Sequence, residues 1–276
     1  MKITDYSVSH QSFTLVYNEA LDLYETTPPP HNLAAYYESP DYISHTDGKR
    51  TLFERIYQLV KNYQLRQKRR LVTTTVQGNI RLLDIGAGTG DFVRICNAHP
   101  RITAEGVEPN AKARARAAEK GIALTESYEQ LLPHSYDVIT LWHVLEHIPN
   151  LQTELDKITA LLKDGGTLII AVPNYRSWDA QHYGTYWAAY DVPRHLYHFS
   201  KTSIERIFAP RRFTLTATRP MLFDAFYVSM LSEQYRIGKK SFLKGILNGL
   251  RSNAYGRRKK EYSSHIYVLK KDKNSK

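Results

Sequence analysis

The chain has 276 residues, of which 42% are hydrophobic, so it is long enough to bury one sizeable core. No apolar run approaches the ~20 residues that a membrane span needs, and the first residues do not form a signal sequence. The lone cysteine, Cys96, excludes an intrachain disulfide and a cysteine-cluster zinc site, and we expect a cytoplasmic location.

The net charge of +11 is concentrated at one end of the chain. Residues 236–276 contain thirteen Lys or Arg against two acids, whereas the remainder is balanced. This distribution disfavours a general nucleic-acid binder and predicts one basic surface, to which residues 257–260 and 270–276 contribute. Two interpretations stay open for it, namely solvated ends or peripheral contact with an anionic membrane. The oligomeric state is not predicted.

Residues 1–50 are expected to form an N-terminal extension of strand and loop, and residues 51–276 the main domain. Ser12–Tyr17 alternates like a short strand, and Pro28–Pro30 excludes a helix. An amphipathic helix then runs to a basic cluster that includes Lys68. We interpret this cluster as a solvated helix end that complements the helix dipole, with anion binding as the alternative.

A glycine-rich turn follows the first strong strand, Leu82–Ile85. Gly86, Gly88 and Gly90 give the spacing G-x-G-x-G, and Asp91 stands where a dinucleotide-binding loop would continue to its third glycine. Such a strand–turn–helix brings bare backbone and helix N–H groups close to a ligand.

The chain then alternates strands and helices. Further strands are predicted at residues 102–107, 122–124, 136–141, 167–172, 213–218 and 265–269. Residues 173–199 are aromatic and too long for an ordinary connection, so they are expected to form a lid-like insert, and residues 220–255 a helical insert. The pattern predicts a doubly wound, Rossmann-like α/β sheet with additions.

Two carboxylates flank the glycine turn. Glu108 ends the second strand, where it can accept hydrogen bonds from both hydroxyls of a ribose; the alternative is an exposed strand-end carboxylate. Asp84 could accept from an ammonium group or orient the turn. The chain lacks a phosphate-binding Walker lysine, so an adenosine-bearing ligand without a pyrophosphate fits these features.

Residues 80–175 resemble the class I S-adenosylmethionine-dependent methyltransferases. The resemblance rests on four motifs in order, which are Leu83–Gly90, Gly106–Pro109, Tyr136–His147 and Leu162–Ile170. It implies a seven-stranded sheet of order 3-2-1-4-5-7-6 whose last strand, Tyr262–Leu269, is antiparallel.

The resemblance also implies which residues contact the cofactor, S-adenosylmethionine. These are Asp84, Gly86, Ala87, Gly88, Gly90, Glu108, Pro109, Ser127, Tyr128, Leu141 and Trp142. Tyr190–Ser200 further resembles a subgroup of small bacterial methyltransferases of largely unassigned substrate. Some members carry N-terminal cysteine pairs that suggest a zinc ribbon, but here that segment has no cysteine and no zinc is expected.

Histidines supply the candidate bases. His143, Glu146 and His147 fall at i, i+3 and i+4, which suits a base or a metal site if a helical turn starts there. Some quinone-biosynthesis O-methyltransferases carry a carboxylate-carboxylate-histidine set here, but His143 replaces the first carboxylate, so we expect no metal. The other candidate proton acceptors are His195 and His198 in the insert.

The insert is either a packed flap or an acceptor-binding lid. In the second case its predicted acceptor contacts are Tyr186, Trp187, Tyr190, Arg194 and Tyr197. The expected function is methyl transfer to oxygen or nitrogen of a small-molecule or lipid-linked acceptor by in-line displacement. The alternatives are an RNA or protein methyltransferase, a non-catalytic binder of the cofactor and a nicotinamide-dependent enzyme. Leu141–Val144 replaces the Asn/Asp-Pro-Pro-Tyr signature of base N-methylation, which disfavours nucleic acid as the acceptor.

Overall fold

The computed structural model describes residues 1–30, 32–33, 36, 52–239 and 241–273. The strands are β1 (Lys2–Thr4), β2 (Ser12–Asn18), β3 (Leu23–Thr27), β4 (Ile80–Ile85), β5 (Ile102–Val107), β6 (Tyr136–Trp142), β7 (Leu162–Pro173), β8 (Tyr197–His198), β9 (Phe213–Pro220) and β10 (Ser264–Lys271). The helices are α1 (Leu52–Thr75), α2 (Asp91–Asn97), α3 (Ala111–Glu119), α4 (Leu151–Leu161), α5 (Trp178–Tyr183), α6 (Lys201–Phe208), α7 (Asp224–Ile237) and α8 (Phe242–Lys259). The expected boundary at residues 50/51 lies outside the described residues.

The larger sheet has six strands in the order β5-β4-β6-β7-β10-β9. Strands β5, β4, β6 and β7 are parallel, and β10 runs antiparallel to both of its neighbours. One apolar cluster joins the sheet to α4 and α6, and a second joins it to α1 and α2. The predicted doubly wound α/β class is confirmed, with helices packed on both faces.

The predicted seventh strand, residues 122–124, is reduced to a single bridge between Val107 and Thr125. The residues before the bridge cover glycines instead of pairing with β5. A Cβ on Gly90 would lie 2.9 Å from Ile122 Cγ2, and a Cβ on Gly106 would lie 2.6 Å from Leu124 Cδ2. The other six strands keep the predicted order, so the prediction of seven strands is wrong in number only.

Gly165 and Gly166 lie within β7, which begins directly after α4. The β6–β7 pairing passes from Tyr136 opposite Leu162 directly to Val138 opposite Thr167, so the intervening residues of β7 bulge outward. Gly165 has a φ of 69°, which glycine adopts without steric cost.

The N-terminal extension forms a second, antiparallel sheet in the order β1-β2-β3-β8. Its last strand comes from the 173–199 insert, with Tyr24 opposite His198. Buried Asp22 reinforces the junction, because its carboxylate accepts hydrogen bonds from Ser200 Oγ at 2.5 Å and Tyr175 Oη at 3.0 Å. The insert is therefore held to the first thirty residues.

Residues 220–255, which were expected to be helical, contain α7 and most of α8, and these two helices are antiparallel. No helix among the described residues is long and apolar enough to cross a membrane. Lys271, one residue of the predicted basic surface, donates from Nζ to the carbonyl oxygens of Thr159 and Leu162 at 3.0 and 2.9 Å, beside the end of α4. Lys271 therefore acts locally, as a cation near a helix C-terminus.

Candidate active site

Three glycines shape the turn between β4 and α2. Gly86, Gly88 and Gly90 have φ angles of 70°, 55° and 75°, a region that costs other residues roughly 1–2 kcal/mol each. A Cβ on Gly86 would lie 2.4 Å from Val144 Cγ2, whereas a Cβ on Gly88 would meet no heavy atom of the described residues within 4 Å. The turn is therefore packed on one side and bare on the other, as close approach of a ligand to the backbone requires.

Glu108 borders the bare side of the turn. Its oxygens accept hydrogen bonds from the backbone N–H of Gly88 at 2.8 Å and of Asn110 at 2.9 Å. A carboxylate has about four acceptor positions, so further positions remain for ribose hydroxyls. Pro109, next in the chain, is exposed.

Asp84 lies at the end of β4 and is 2% exposed. It accepts a hydrogen bond from Thr140 Oγ1 at 2.6 Å. Burial raises the pKa of Asp84 to about 7, although the Thr140 hydrogen bond and the charge of Lys68 oppose the shift. An ammonium group placed beside such a carboxyl strongly favours its ionised form.

Lys68 of α1 reaches the same region. Its Nζ lies 4.4 Å from the centroid of the Trp142 ring, a cation–π contact. Burial lowers the pKa of Lys68, and the charges of Asp84 and Asp224 act in the opposite direction. The interpretation of Lys68 as part of a solvated helix end is therefore wrong, because α1 continues for two further turns and directs this residue inward.

His143 follows β6 directly, has a φ of 58° and lies between two carboxylates. Its Nδ1 is 3.2 Å from Glu146 Oε1, and its Nε2 is 3.0 Å from Asp224 Oδ2. Although burial lowers the pKa of His143, Asp224 and Glu146 raise it to about 10. The ring is therefore an imidazolium at neutral pH in this arrangement. Its side chain is 33% exposed, against 10% for His195.

Glu146, His147 and His195 form a cluster beside His143, with one ligand atom of each within 4.8 Å of the others. Burial, together with the charge of His195, lowers the pKa of His147 to about 4. Glu146 Oε2 is buried without a hydrogen-bond partner among the described residues. These groups match the ligand types of a divalent-cation site, but the His143 imidazolium already neutralises the Glu146 carboxylate.

His195 and His198 are enclosed and do not match their predicted role as proton acceptors. His195 is 8% exposed, and its Nδ1 lies 2.9 Å from the carbonyl oxygen of Ala189. His198 is 4% exposed, and its Nε2 lies 3.1 Å from Thr26 Oγ1. Burial, and then the charge of His195, lowers the pKa of His198 well below its ordinary value. The His198 ring therefore bonds the insert to the N-terminal sheet, whereas the His195 ring is bonded within the insert.

The aromatic residues of the insert are mostly core rather than acceptor contacts. Trp187 is 2% exposed and donates from Nε1 to Asp179 Oδ2 at 2.8 Å, and Tyr190 is 5% exposed. Arg194 pairs with Asp191 at 2.5 Å. Tyr186 contacts Tyr6, and Tyr197 contacts Phe199. This packing fits the packed-flap alternative, and the acceptor-binding lid stays a prediction.

The remaining predicted cofactor contacts lie around the turn. Ser127 is exposed and accepts from the backbone N–H of Glu129 at 3.1 Å. Tyr128 donates its hydroxyl to Glu154, an interaction that, with burial as the larger cause, raises the pKa of Tyr128. Leu141 is fully buried in the core, so its backbone alone can face a ligand.

Residues 51–218, more than half of the chain, match the family model described as "Methyltransferase domain". The chain belongs to the class I S-adenosylmethionine-dependent methyltransferases. This confirms the family predicted from the glycine turn, Glu108 and the motif that follows β6.

The methyltransferase is also similar to curated relatives. It is 34% identical over 103 residues to a ubiquinone biosynthesis O-methyltransferase of Aeromonas salmonicida, which covers 34% of this chain and 43% of the relative. A protein of the same description from a Bradyrhizobium species is 32% identical over 109 residues, covering 36% and 42%. The match therefore spans less than half the length of either relative.

Solved structures share the fold at low identity. Magnesium protoporphyrin IX methyltransferase from Synechocystis, solved with S-adenosylhomocysteine, superposes with a TM-score of 0.56 at 14% identity, covering 86% of this chain and 97% of that one. A methyltransferase from Methanosarcina mazei gives a TM-score of 0.51 at 14% identity, covering 74% and 98%.

Two residues of the methyltransferase's site were not predicted there, Lys68 and Asp224. Lys68 was hidden in a basic run on a helix, and Asp224 at the start of a segment whose packing the sequence does not reveal. For Asp224, a signal is available in hindsight, because an acid in the first turn of a helix is stabilised by the helix dipole.

Proposed function

We propose that this methyltransferase transfers a methyl group to oxygen or nitrogen of a small-molecule or lipid-linked acceptor. The observation that carries the proposal is the contact between Gly86 and Val144, the residue after His143. It joins the bare glycine turn to His143, whose side chain is 33% exposed. The names of the curated relatives, which specify O-methylation in ubiquinone biosynthesis, support a small-molecule oxygen acceptor.

The bare turn and its carboxylates suit S-adenosylmethionine. Gly88 offers backbone with open space above it, Glu108 offers acceptor positions for the ribose, and buried Asp84 offers an anion for the ammonium of the methionine part. When bound, this cofactor supplies an activated methyl group. Pro109, Ser127, Tyr128 and the Trp142 ring would border it.

The protein's own part in the reaction is alignment and proton handling, because displacement at a methyl carbon needs an oriented, deprotonated nucleophile. Glu146 accepts the Nδ1–H of His143 and fixes the orientation of the ring. Nε2 faces Asp224. We propose that the acceptor's hydroxyl or amine replaces Asp224 at Nε2, which removes one of the two carboxylates that hold the pKa of His143 high. As it leaves, Asp224 takes the Nε2 proton of the ring and passes it to solvent. The neutral imidazole then accepts the acceptor's proton at Nε2 while the methyl group is transferred.

Calorimetric titration with S-adenosylmethionine tests the cofactor proposal. We expect affinity in the micromolar range or tighter, and a loss of at least about tenfold in Glu108→Ala, since a hydrogen bond to a charged group contributes roughly 1.5–3 kcal/mol. Glu119→Ala, a change on the exposed end of α3, is the matched control. Absence of binding to the wild-type chain, or a thermal shift with a nicotinamide cofactor instead, would overturn the proposal.

A further inference from the structure

Helix α8 buries its small residues and exposes its large apolar ones. The buried side of the helix consists of Gly245, Asn248, Gly249, Ser252 and Gly256. This side packs closely on α7, because a Cβ on Gly245 would lie 2.4 Å from Met230 Cγ and a Cβ on Gly249 would lie 2.6 Å from Phe226 Cδ1. Glycine at these positions lets the two helix backbones approach each other, as small residues do at close helix contacts.

The opposite side carries five large apolar residues, here named the α8 apolar stripe. They are Phe242, Leu243, Ile246, Leu247 and Leu250, with exposed fractions of 50%, 70%, 46%, 46% and 53%. At about 100° per residue they occupy a sector of roughly 140° on the helix surface. A helix of a soluble domain normally turns such a stripe toward the core, so a contiguous exposed stripe marks a contact surface.

The stripe continues onto the start of α7. Asn253 Nδ2 donates to the carbonyl oxygen of Leu222 at 2.9 Å, which places Leu222 beside α8. Leu222, Phe223 and Tyr227 are 46%, 38% and 51% exposed. The next residue after Phe223 is Asp224, which contacts His143, so the apolar surface reaches the edge of the candidate active site.

A cationic cavity lies along the edge of the stripe. It has a volume of about 190 Å³ and is lined by His182, Glu233, Arg236, Lys244, Leu247, Asn248 and Arg251. Three of these residues are cations, and Glu233, fully buried, is the only acid among the lining residues. Leu247 belongs to both the cavity and the stripe, so an anionic group in the cavity would lie next to apolar surface. At roughly 30 Å³ per water molecule, the space suits a phosphate headgroup.

We propose that the α8 apolar stripe and this cavity dock the protein on an anionic phospholipid bilayer. A helix that presents an apolar sector edged by Lys and Arg lies in the membrane interface, where acyl chains cover the sector and anionic headgroups attract the cations. Lys244 and Arg251 flank the stripe, and exposed Arg257 and Arg258 follow on the last turns of the same helix. This surface is independent of the proposed methyl transfer.

The charge of the protein selects the bilayer over two other occupants. A second copy would bring another chain of net charge +11 against a surface that is itself cationic, and like charges in contact disfavour association. A nucleic acid would use the cations but leave the aliphatic side chains of the stripe uncovered, because its outer surface is a phosphate backbone.

Co-sedimentation with vesicles tests the proposal on the full chain. Vesicles of phosphatidylglycerol and phosphatidylcholine are compared with vesicles of phosphatidylcholine alone. We expect binding to the anionic vesicles only, at least about tenfold weaker in Leu243→Ser/Leu250→Ser and several-fold weaker in Lys244→Gln/Arg251→Gln. Circular dichroism checks that the variants fold, which exposed positions allow.

Matched controls change the same residue types elsewhere. Leu59→Ser/Leu132→Ser alters leucines that are 69% and 74% exposed, and Arg70→Gln/Lys112→Gln alters exposed cations. Both controls should bind like the wild-type chain. Equal loss in the controls, equal binding to uncharged vesicles, or no binding to the anionic vesicles would each overturn the proposal. In the last case, a dimer that Leu243→Ser/Leu250→Ser dissociates would assign the stripe to a second copy of the chain. The affinity for S-adenosylmethionine, measured by calorimetry on the same samples, should be the same whether or not the protein binds vesicles.

Discussion

The Nε2 atom of His143 lies 3.0 Å from the Asp224 carboxylate, so the first residue of α7 contacts the histidine that follows β6. The pairing links the helical insert to the end of the central sheet. It also fixes the protonation state of the ring, because Asp224 and Glu146 together raise the pKa of His143 to about 10 against the opposing effect of burial.

Removal of the Asp224 charge should lower the pKa of His143. In Asp224→Asn the His143 ring keeps Glu146 but loses one of its two carboxylate partners. We therefore expect the pKa of His143 to fall by roughly 1–3 units. Histidine ring resonances followed by NMR across the pH range measure the shift. Asp156→Asn, a surface change far from the ring, serves as the control and should leave the titration in place.

The same pairing has a consequence for stability. Since the folded-state pKa of His143 is raised above its ordinary value of about 6.5, its ion pairs stabilise the fold fully below that pH. The stabilisation is lost as the pH rises toward about 10. Urea unfolding at a series of pH values should show this loss in the wild-type chain and a smaller one in Asp224→Asn. Parallel curves for the two proteins would contradict the assignment.

Gly86 and Gly88 should respond differently to alanine. Both have positive φ, so each change costs roughly 1–2 kcal/mol in backbone strain. Gly86→Ala adds a Cβ 2.4 Å from Val144, whereas Gly88→Ala points its Cβ into open space. We therefore expect Gly86→Ala to lower the free energy of unfolding further, and Gly88→Ala to fold yet bind S-adenosylmethionine poorly. Chemical denaturation and calorimetry separate the two effects, and equal stabilities would contradict the packing argument.

Cofactor binding should release a proton from Asp84. Because burial raises the pKa of Asp84 to about 7, this carboxyl is largely protonated in mildly acidic solution, and an ammonium partner would favour its ionised form. Calorimetry at a pH of about 6 in buffers of different ionisation enthalpy should therefore report up to about one proton released. In Asp84→Asn the release should vanish. Persistence of the release in this variant would assign it to another group.

Asp179 should be among the most sensitive positions of the fold. It is fully buried and accepts hydrogen bonds from Trp187 Nε1, Ser252 Oγ and Ser263 Oγ at 2.8, 2.7 and 2.7 Å. Asp179→Ala would leave three donors unpaired, and we expect it to cost about 3–5 kcal/mol. Asp156→Ala, which removes a pair with Arg211 from a 67% exposed carboxylate, should cost only about 0.2–1 kcal/mol. Guanidinium unfolding measures the free energy of unfolding of the two variants. If both variants lose only about 0.2–1 kcal/mol, the insert is not packed around Asp179.

The Glu146–His147–His195 cluster should carry no stoichiometric metal. The His143 imidazolium, 3.2 Å from Glu146, neutralises the one carboxylate of the cluster and opposes a second cation beside it. Elemental analysis of the purified chain should find far less than one equivalent of metal, and EDTA should leave the melting temperature unchanged. One equivalent that EDTA removes, with a lowered melting temperature, would show that a metal displaces the proton of His143.

Much of the central sheet follows from its sequence, because local signals there agree with the tertiary structure. The glycine turn and the apolar runs of β4, β6 and β7 each match a buried parallel strand or its loop. The sequence predicts the wrong element where the local pattern and the tertiary packing favour different structures. Residues 122–124 look like a strand, but their side chains are needed over Gly90 and Gly106, so a single bridge remains.

The insert shows why catalytic roles were harder to predict. Tyr190, His195 and His198 are residue types common in active sites, and in sequence they resemble acceptor contacts. Some of their partners, however, come from the first thirty residues, since Thr26 Oγ1 donates to the carbonyl oxygen of His195 and contacts His198 Nε2. A pairing between positions 172 residues apart leaves no local signal. For the same reason Lys68 and Asp224 could not be placed beside the glycine turn.

The pairing of β3 with β8 also sets an order of events in folding. Tyr24 meets His198 only after most of the chain has been synthesised. Contacts so distant in sequence form late and slowly, because the intervening chain must first lose its freedom. Until this pairing forms, β3 is paired with β2 on one side and has an open edge on the other. A mutation that slows the pairing of β3 with β8 would lengthen the time during which this edge is available to other chains.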